Sequence, residues 1–199
     1  SLSEDEDATV DTAFFSSRAR LSTRDQSGAY RYSYQIKIPP GRNGLQPDLQ
    51  LNYSSRDSEV NNIFGYGWSI NIPYIQRLNR EGLEEMYTDS YFVSTLDGEL
   101  ATTSVATTTA FAPVVENGSF NKYSLTNNVW TVTDKKGTRY IFGTTTASRQ
   151  DNPGDSSKVY MWFLEEVRDT NNNFIRYEYD KESGQVYPAQ ITYTGNETT

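Results

Sequence analysis

Apolar and polar residues alternate along most of the chain, which is the period of β-strands that bury one face. In "YRYSYQIKI" the apolar side chains share one parity: Tyr30, Tyr32, Tyr34, Ile36 and Ile38. "DLQLNYS" repeats the pattern with Leu49, Leu51 and Tyr53. The alternation therefore predicts two antiparallel strands whose apolar residues face inward.

Turn residues between other alternating segments predict further hairpins. "VVENGSF" contains Asn117 and Gly118, a two-residue hairpin signal because both positions tolerate positive φ. "LDGEL" places Asp97 and Gly98 in a similar setting. "WTVTDKKGTRYIFG" predicts two strands joined by a turn from Asp134 to Gly137, and "MWFLEEVRD" is interpreted as a strand.

Two segments share one pattern, in which an apolar strand leads through an aspartate and a polar turn to an aromatic-x-aromatic strand. The aspartates are Asp134 and Asp169. The aromatic strands that follow contain Tyr140 and Phe142 in the first segment, and Tyr177 and Tyr179 in the second. We expect each aspartate to accept hydrogen bonds from the backbone of its turn, and stacked units of this kind would extend one sheet.

Three stretches depart from the strand pattern. The opening residues 1–27 begin with the acidic run "SEDED" and predict a disordered leader. Residues 101–113 are rich in threonine and uncharged, and residues 148–158 concentrate Asn, Pro, Gly, Asp and Ser. Both of these later stretches are predicted to be exposed loops.

Composition excludes several kinds of chemistry. The formal net charge of −8 argues against nucleic acid as a partner. The chain has no Cys and no His, so a Ser-His-Asp triad, a Cys-His pair and most zinc sites cannot form within it. The sequence contains no apolar run long enough for a membrane span. We predict no catalytic residues, no cofactor and no metal ligands.

Several motifs in sequence order resemble the SpvB-type N-terminal domain, which is shared by plasmid virulence proteins, B components of insecticidal Tc toxins and related RHS-repeat toxins. They are "YQIKIPPGRNGLQPDLQLNYSS", "FGYGWSINIPYIQRLNREG", "YFVSTLDGEL" and "WTVTDKKGTRYIFG". The last part, "WFLEEVRDTNNNFIRYEYDKESGQVYPAQITYTGN", resembles the transition into RHS/YD-type repeats. The family often has a third glycine where this chain has Asn43, a residue that also adopts left-handed backbone.

The resemblance implies an all-β fold of antiparallel hairpins, forming a β-sandwich or curved sheet that is part of an RHS-type shell. It divides the chain into the leader, an SpvB-like domain over 28–147, the loop 148–158 and an RHS/YD-like hairpin segment over 159–199. The implied role is a non-catalytic scaffold in a secreted bacterial toxin, cytoplasmic before export. Its partners would be the remainder of a larger toxin polypeptide or other toxin-complex subunits.

Two stretches are candidate functional sites. The corner of Pro39, Pro40, Gly41, Arg42 and Gly44 is either an anion-binding loop or a rigid turn, and the absence of a following helix favours the turn. In "GYGWS", Tyr66 and Trp68 are candidate binding residues for a glycan, or aromatic residues that pack across strands. The alternative function is therefore a free-standing module that binds glycans or proteins.

Overall fold

The structure is a computed structural model that describes residues 20–22, 30–56, 65–82, 85–104 and 107–197. Antiparallel strands dominate these residues, as the alternation predicts. The helical segments among them are short 3-10 turns at Arg42–Gly44 and Glu85–Tyr87. None of the helices in these ranges has the length and apolar character to span a membrane. The all-β antiparallel fold class is confirmed.

The chain forms two compact units, and the first contains residues 1–37 and 48–71. Its four-stranded sheet has the order β1-β2-β3-β4. The strands are β1 (Arg20–Ser22), β2 (Arg31–Gln35), β3 (Gln50–Ser54) and β4 (Trp68–Ile70). β2 and β3 are the predicted pair from the first alternating segments, and they are antiparallel.

The second unit contains residues 38–47 and 72–199 and forms an 11-stranded sheet. Its first strands are β5 (Tyr74–Arg77), β6 (Phe92–Ser94), β7 (Gly98–Ser104), β8 (Thr107–Pro113), β9 (Lys122–Thr126) and β10 (Val129–Thr133). The remaining strands are β11 (Arg139–Phe142), β12 (Arg149–Asn152), β13 (Asp155–Arg168), β14 (Asn173–Glu182) and β15 (Gln185–Asn196).

The strands β5 to β11 pair in succession, and β13 closes them into a ring because it pairs with both β5 and β11. β13 can do this because it is 14 residues long. Its first part pairs with β12 and β5, and its last residues pair with β11 and β14. β14 and β15 extend the sheet beyond the ring, so β15 has its pairing partner on one side only among the described residues.

Large side chains on these strands fill the core of the second unit. The largest fully buried ones are Trp130, Trp162, Phe92, Phe111, Phe142, Ile75, Leu100, Leu164 and Val132. The ring of Trp130 lies 4.9 Å from that of Phe92 and 5.0 Å from that of Phe111, measured between centroids. The first contact is edge-to-face and the second is tilted, and aromatic contacts of this kind add to the hydrophobic stabilisation that burial provides.

One cation lies against this aromatic core. The guanidinium of Arg77 is 5.0 Å from the Phe92 ring centroid, and its Nε donates to the Val159 carbonyl at 3.1 Å. Its Nη1 donates to the Asp89 carbonyl at 2.8 Å. Burial lowers the pKa of Arg77, but carbonyls and ring faces satisfy its donors. Arg77 therefore ties β5 to β13 and to the segment before β6.

Both segments predicted to be loops contain strands, so those predictions are wrong. Residues 101–104 and 107–113 lie in β7 and β8, because β-branched threonines favour strands and Phe111 is buried. In residues 148–158 the turn is confined to the residues between β12 and β13. The polar side chain of Asp151 is buried there because Lys181 pairs with it.

Three further expectations need correction. Tyr34 and Tyr30 are about half exposed instead of inward, and β2 ends at Gln35. The hairpin at Asn117 forms between β8 and β9, but its loop covers residues 114–121 instead of two residues. The expected leader 1–27 contains the strand β1, whose backbone pairs with β2; its other residues lie outside the described ranges.

Candidate functional site

The first unit presents an aromatic surface on one face of its sheet. Tyr32 lies opposite Tyr53, and Tyr53 lies opposite Trp68, so the three side chains share a face. The Tyr53 and Trp68 rings are 5.3 Å apart, and Tyr32 meets Trp68 edge-on at 6.1 Å. Tyr30 extends the row at 6.2 Å from Tyr53. We call Tyr30, Tyr32, Tyr53 and Trp68 the aromatic row.

The structure separates the two candidate binding residues of "GYGWS". Trp68 is half-buried within the aromatic row, whereas Tyr66 is 62% exposed. Gly67 between them has φ 75°, and a Cβ there would lie 2.9 Å from the Tyr53 ring and 2.8 Å from the Ser54 carbonyl oxygen. A glycine is therefore needed for the close approach that packs Trp68 against Tyr53.

The proline-glycine corner is a tight turn. Gly44 N donates to the Gly41 carbonyl at 3.3 Å, and Leu45 N donates to the Arg42 carbonyl at 3.0 Å. Asn43 has φ 54° and ψ 28°, the left-handed conformation that asparagine is expected to adopt in place of a glycine. The side chain of Arg42 is exposed, and no helix follows it in the described residues that could complete an anion site.

The two Asp-led turns have the same geometry, as predicted. Asp134 Oδ1 accepts from the backbone N–H of Lys136 and Thr138 at 2.7 and 2.9 Å. Asp169 Oδ1 accepts from Asn171 and Asn173 at 2.8 and 2.9 Å. In both turns the acceptor aspartate therefore fixes the amides two and four residues later.

These turns also lie next to each other. β11 pairs with β13, and a Cβ on Gly137 would lie 2.9 Å from the Thr170 methyl. Asn43 of the corner donates from Nδ2 to Asp169 Oδ2 at 3.5 Å. Both carboxylate oxygens of Asp169 thus accept hydrogen bonds that hold the turn, and the described residues contain no acidic cluster suited to a metal ion.

A charged clasp, formed by Glu166, Arg168, Arg176 and Glu197, joins β13, β14 and the end of β15. Glu166 accepts from Arg168 Nε at 2.7 Å and from Arg176 Nε at 3.0 Å. Both arginines also pair with Glu197. Both guanidinium groups lie over the Phe174 ring, at 5.5 and 4.1 Å from its centroid.

The clasp predicts a dependence of stability on acid. Burial alone would raise the pKa of Glu166, but hydrogen bonds from Arg168 and Arg176 outweigh it and hold the pKa below the ordinary glutamate value. The native state therefore binds a proton at Glu166 less readily than the unfolded chain does. Its stabilisation is present above the ordinary glutamate pKa of about 4.3 and is lost as the pH falls through the lower native value.

We expect Glu166→Gln to lower the free energy of unfolding by about 1 kcal/mol at neutral pH and by less in acid. Urea titrations of both proteins at several pH values between about 7 and 3 would measure this difference. The control is Glu178→Gln, which removes an exposed carboxylate of β14. A constant gap between Glu166→Gln and the parent chain across the whole range would contradict the assignment.

Two further sites contain carboxylates, Glu165 at one and Glu99 at the other, and a neighbouring group engages each of them. Glu165 accepts from the Thr145 backbone N–H at 2.9 Å, whereas its neighbour Glu166 belongs to the charged clasp. A surface hollow of about 400 Å³ is lined by Arg80, Tyr91 and Glu99, among others. Arg80 pairs there with Glu99 and stacks on Tyr91, so these charges compensate one another.

The sequence does not indicate the roles of Arg77, Glu166 and Arg176. Arg77 is one polar residue in "YIQR", and its role depends on carbonyls from distant segments. Glu166 and Arg176 become neighbours through the pairing of β13 with β14. The Asp-led turns were predictable because the aspartate and its amide donors lie within five residues of sequence.

The fold is similar to solved structures of bacterial toxin and effector proteins. The crystal structure of TcdB2-TccC3 matches with a TM-score of 0.71 at 20% identity, covering 88% of this chain and 10% of that chain. The N-terminal domain of effector protein SpvB from Salmonella typhimurium strain LT2 matches with a TM-score of 0.64 at 23% identity, covering 80% and 63%. The fold is thus one that occurs within much larger toxin chains and at the start of an effector protein.

A family model described as Salmonella virulence plasmid 65kDa B protein, SpvB, matches residues 24–198. The chain therefore belongs to the SpvB family, which confirms the resemblance carried by its motifs.

The chain is also similar to part of a longer protein of known name. The chain is 26% identical over 204 residues to mono(ADP-ribosyl)transferase SpvB of Salmonella typhimurium strain 14028s. The protein of the same name in Salmonella choleraesuis has the same identity. The alignment covers 89% of this chain but 33% of each relative, so this chain spans about a third of their length.

Proposed function

We propose that this chain is a non-catalytic scaffold segment of a secreted bacterial toxin, which contributes sheet to a shell that carries or encloses a separate toxic domain. The observation that carries the proposal is the family match over residues 24–198, together with an alignment that covers a third of the transferase relatives. The polar side chains described above also support the proposal, because most of them hold a turn, belong to the charged clasp or contact the core. Residues 159–199, on this proposal, begin an RHS/YD-type sheet.

The edge of β15 gives the proposal a structural basis. β14 carries buried Ile175, Tyr177 and Tyr179, whereas no residue of β15 is fully buried. Open strand edges invite pairing, and natural proteins cover them unless another strand follows. A following segment of the same polypeptide would pair with β15 and continue the sheet.

Hydrogen exchange in the full-length natural protein tests this role. We expect the amides of β15 that point away from β14 to exchange slowly, because strands that follow would pair with them. Mass spectrometry of peptides covering residues 185–196 measures this protection. Rapid exchange at those amides, or a natural reading frame that stops near Thr199, would count against the scaffold.

The isolated 199-residue chain should associate with itself through the strand around Ala189 to Tyr193. Two copies would pair along the β15 edge that the continuing sheet otherwise occupies. Sedimentation velocity at increasing concentration would detect the association. A chain that stays monomeric at high concentration would contradict this expectation.

The proline-glycine corner would then act as a rigid turn that shapes the scaffold, with Pro39 and Pro40 fixing its entry. A Cβ on Gly41 would lie 1.8 Å from the Leu45 carbonyl oxygen. We expect Gly41→Ala to lower the free energy of unfolding by about 2–3 kcal/mol. Arg42→Ala should change it by less than about 0.5 kcal/mol because this side chain is exposed. Chemical denaturation compares the two, and equal effects would argue against a purely structural corner.

A second candidate function is a module that binds glycans through the aromatic row and Tyr66. The observation that favours it is exposure, since Tyr30 is 48% and Tyr66 is 62% exposed. Aromatic faces contact sugar rings through their apolar surface. A glycan array with the parent chain, Tyr66→Ala and Trp68→Ala tests this function. Binding that disappears in both variants, with the fold retained by circular dichroism, would favour the module over the scaffold.

A further inference from the structure

The loop between β8 and β9 exposes apolar side chains in an unusual concentration. We call residues 114–121 the Val-Phe loop. Val114 is 54% exposed, Val115 is 73% exposed and Phe120 is 62% exposed. Large exposed apolar groups scattered singly are ordinary, but three within one eight-residue loop are a local concentration.

Hydrogen bonds hold the Val-Phe loop in one conformation. Asp97 of the β6–β7 turn accepts from Asn121 Nδ2 at 2.7 Å and from Asn117 Nδ2 at 3.4 Å. Within the loop, Glu116 Oε1 accepts from the backbone N–H of Gly118 at 2.7 Å and of Phe120 at 3.2 Å. The loop is thus ordered before any partner arrives, so binding would cost little conformational entropy.

The side chain at position 120 is costly for the loop. Phe120 has φ 55°, in the left-handed region, where a bulky L-residue is disfavoured by roughly 1–2 kcal/mol. Glycine or asparagine would fit that backbone with less strain. The phenylalanine therefore contributes no conformational advantage, and its ring points to solvent instead of the core. Strain that is maintained in this way is common where a side chain has to be presented to a partner.

The Val-Phe loop lies at the end of the ring where β15 finishes. Lys135 Nζ, in the β10–β11 turn, donates to the Gly118 carbonyl at 3.5 Å. That turn contacts the β13–β14 turn through Gly137 and Thr170. Glu197 N, directly after β15, donates to the Asn172 carbonyl of the β13–β14 turn at 3.1 Å. Glu197 therefore lies at the β13–β14 turn, whose neighbour, the β10–β11 turn, contacts the loop, so polypeptide that continued from there would start at this end of the ring.

The charges around the loop define the chemistry of its partner. Asp97 and Glu116 use their carboxylates to accept bonds from loop donors. The exposed charged side chains nearby are Glu116 of the loop itself and three lysines: Lys122, which begins β9, and Lys135 and Lys136 of the adjacent turn. The lysines outnumber the exposed carboxylate here, within a chain of formal net charge −8. A complementary surface would be an apolar hollow with carboxylates at its rim.

We propose that the Val-Phe loop docks into such a hollow on the polypeptide that follows β15 in the whole protein. This inference rests on the proposed scaffold function, because that function supplies the following polypeptide. Docking would bury Val115 and Phe120. It would also hold the beginning of the following polypeptide against the end of the ring. The apolar side chains supply the contact, and the lysines select the partner surface.

Hydrogen exchange in the full-length protein tests the docking. We expect peptides covering residues 114–121 to exchange at least about tenfold more slowly in the parent protein than in full-length Val115→Asp. Val115 is the most exposed of the three side chains, so the substitution leaves the ring intact. Asn128→Asp is the control, because it adds the same charge in the exposed turn at the other end of β9. It should leave exchange in the loop unchanged.

The outcomes separate this inference from the scaffold function. A slow β15 edge together with a loop that exchanges as fast in the parent as in Val115→Asp would overturn the docking and leave the scaffold standing. Fast exchange at both places would overturn both. Loop protection that appears only as the protein concentration rises would identify a second copy as the occupant and would also overturn the proposal.

Discussion

Trp130→Ala is expected to lower the free energy of unfolding by about 3–5 kcal/mol, because it empties the centre of the core. Trp130 is completely buried, and its ring contacts those of Phe92, Phe111 and Trp162. The surrounding strands are held in place because they pair in a closed ring. They therefore cannot move fully into the space that the side chain leaves. Guanidinium denaturation with a check for a single transition would measure the loss.

Trp130→Phe is the matched variant for this prediction. The indole Nε1 of Trp130 is buried without a hydrogen-bond partner among the described residues, so phenylalanine removes no bond. The variant keeps an aromatic face for Phe92 and Phe111, and we expect a loss below about 2 kcal/mol. A loss as large as that of Trp130→Ala would mean that volume alone does not explain the role of this side chain.

The second large effect is expected at Gly143, which follows β11. Its φ is 70°, and an added Cβ would lie 2.3 Å from Cδ1 of the buried Trp162. Gly143→Ala would combine left-handed strain with displacement of a core side chain, at a cost of about 3–4 kcal/mol. Thermal unfolding followed by tryptophan fluorescence would report both the stability and the environment of Trp162.

Gly44→Ala separates the two contributions. Gly44 has φ 76°, but an added Cβ there meets no atom within 4 Å. We expect a loss of about 1–2 kcal/mol, which is the conformational part alone. Similar losses at positions 44 and 143 would show that Trp162 moves aside without cost, and would contradict the account of Gly143.

Local patterns predicted the strands and some of the turns. Alternation located β2, β3, β10 and β11, and the Asp-led pattern located two turns whose hydrogen bonds follow from the positions of Asp134 and Asp169. These features depend on neighbours in sequence, which is why the residues alone indicate them. The motifs of the family added the order of the segments.

Features that depend on distant partners were not predictable. Tyr34 fits the apolar parity of β2, yet it is half exposed. By its residue type Asp151 is expected in a loop. It lies in a strand and is buried because Lys181 of β14 pairs with it. For the candidate site, the sequence identified "GYGWS" but not that Gly67 would pack Trp68 on Tyr53 and leave Tyr66 outside.

The long strand β13 also determines when the second unit can fold. β13, which spans Asp155–Arg168, pairs with β5 on one side and with β11 on the other, and this pairing closes the ring. Until residues 155–168 are available, the strands before them have two open edges and a core without Trp162. High separation in sequence slows such closure and leaves intermediates prone to aggregation. Closure of the ring, and with it completion of the core around Trp162, therefore waits for residues 155–168.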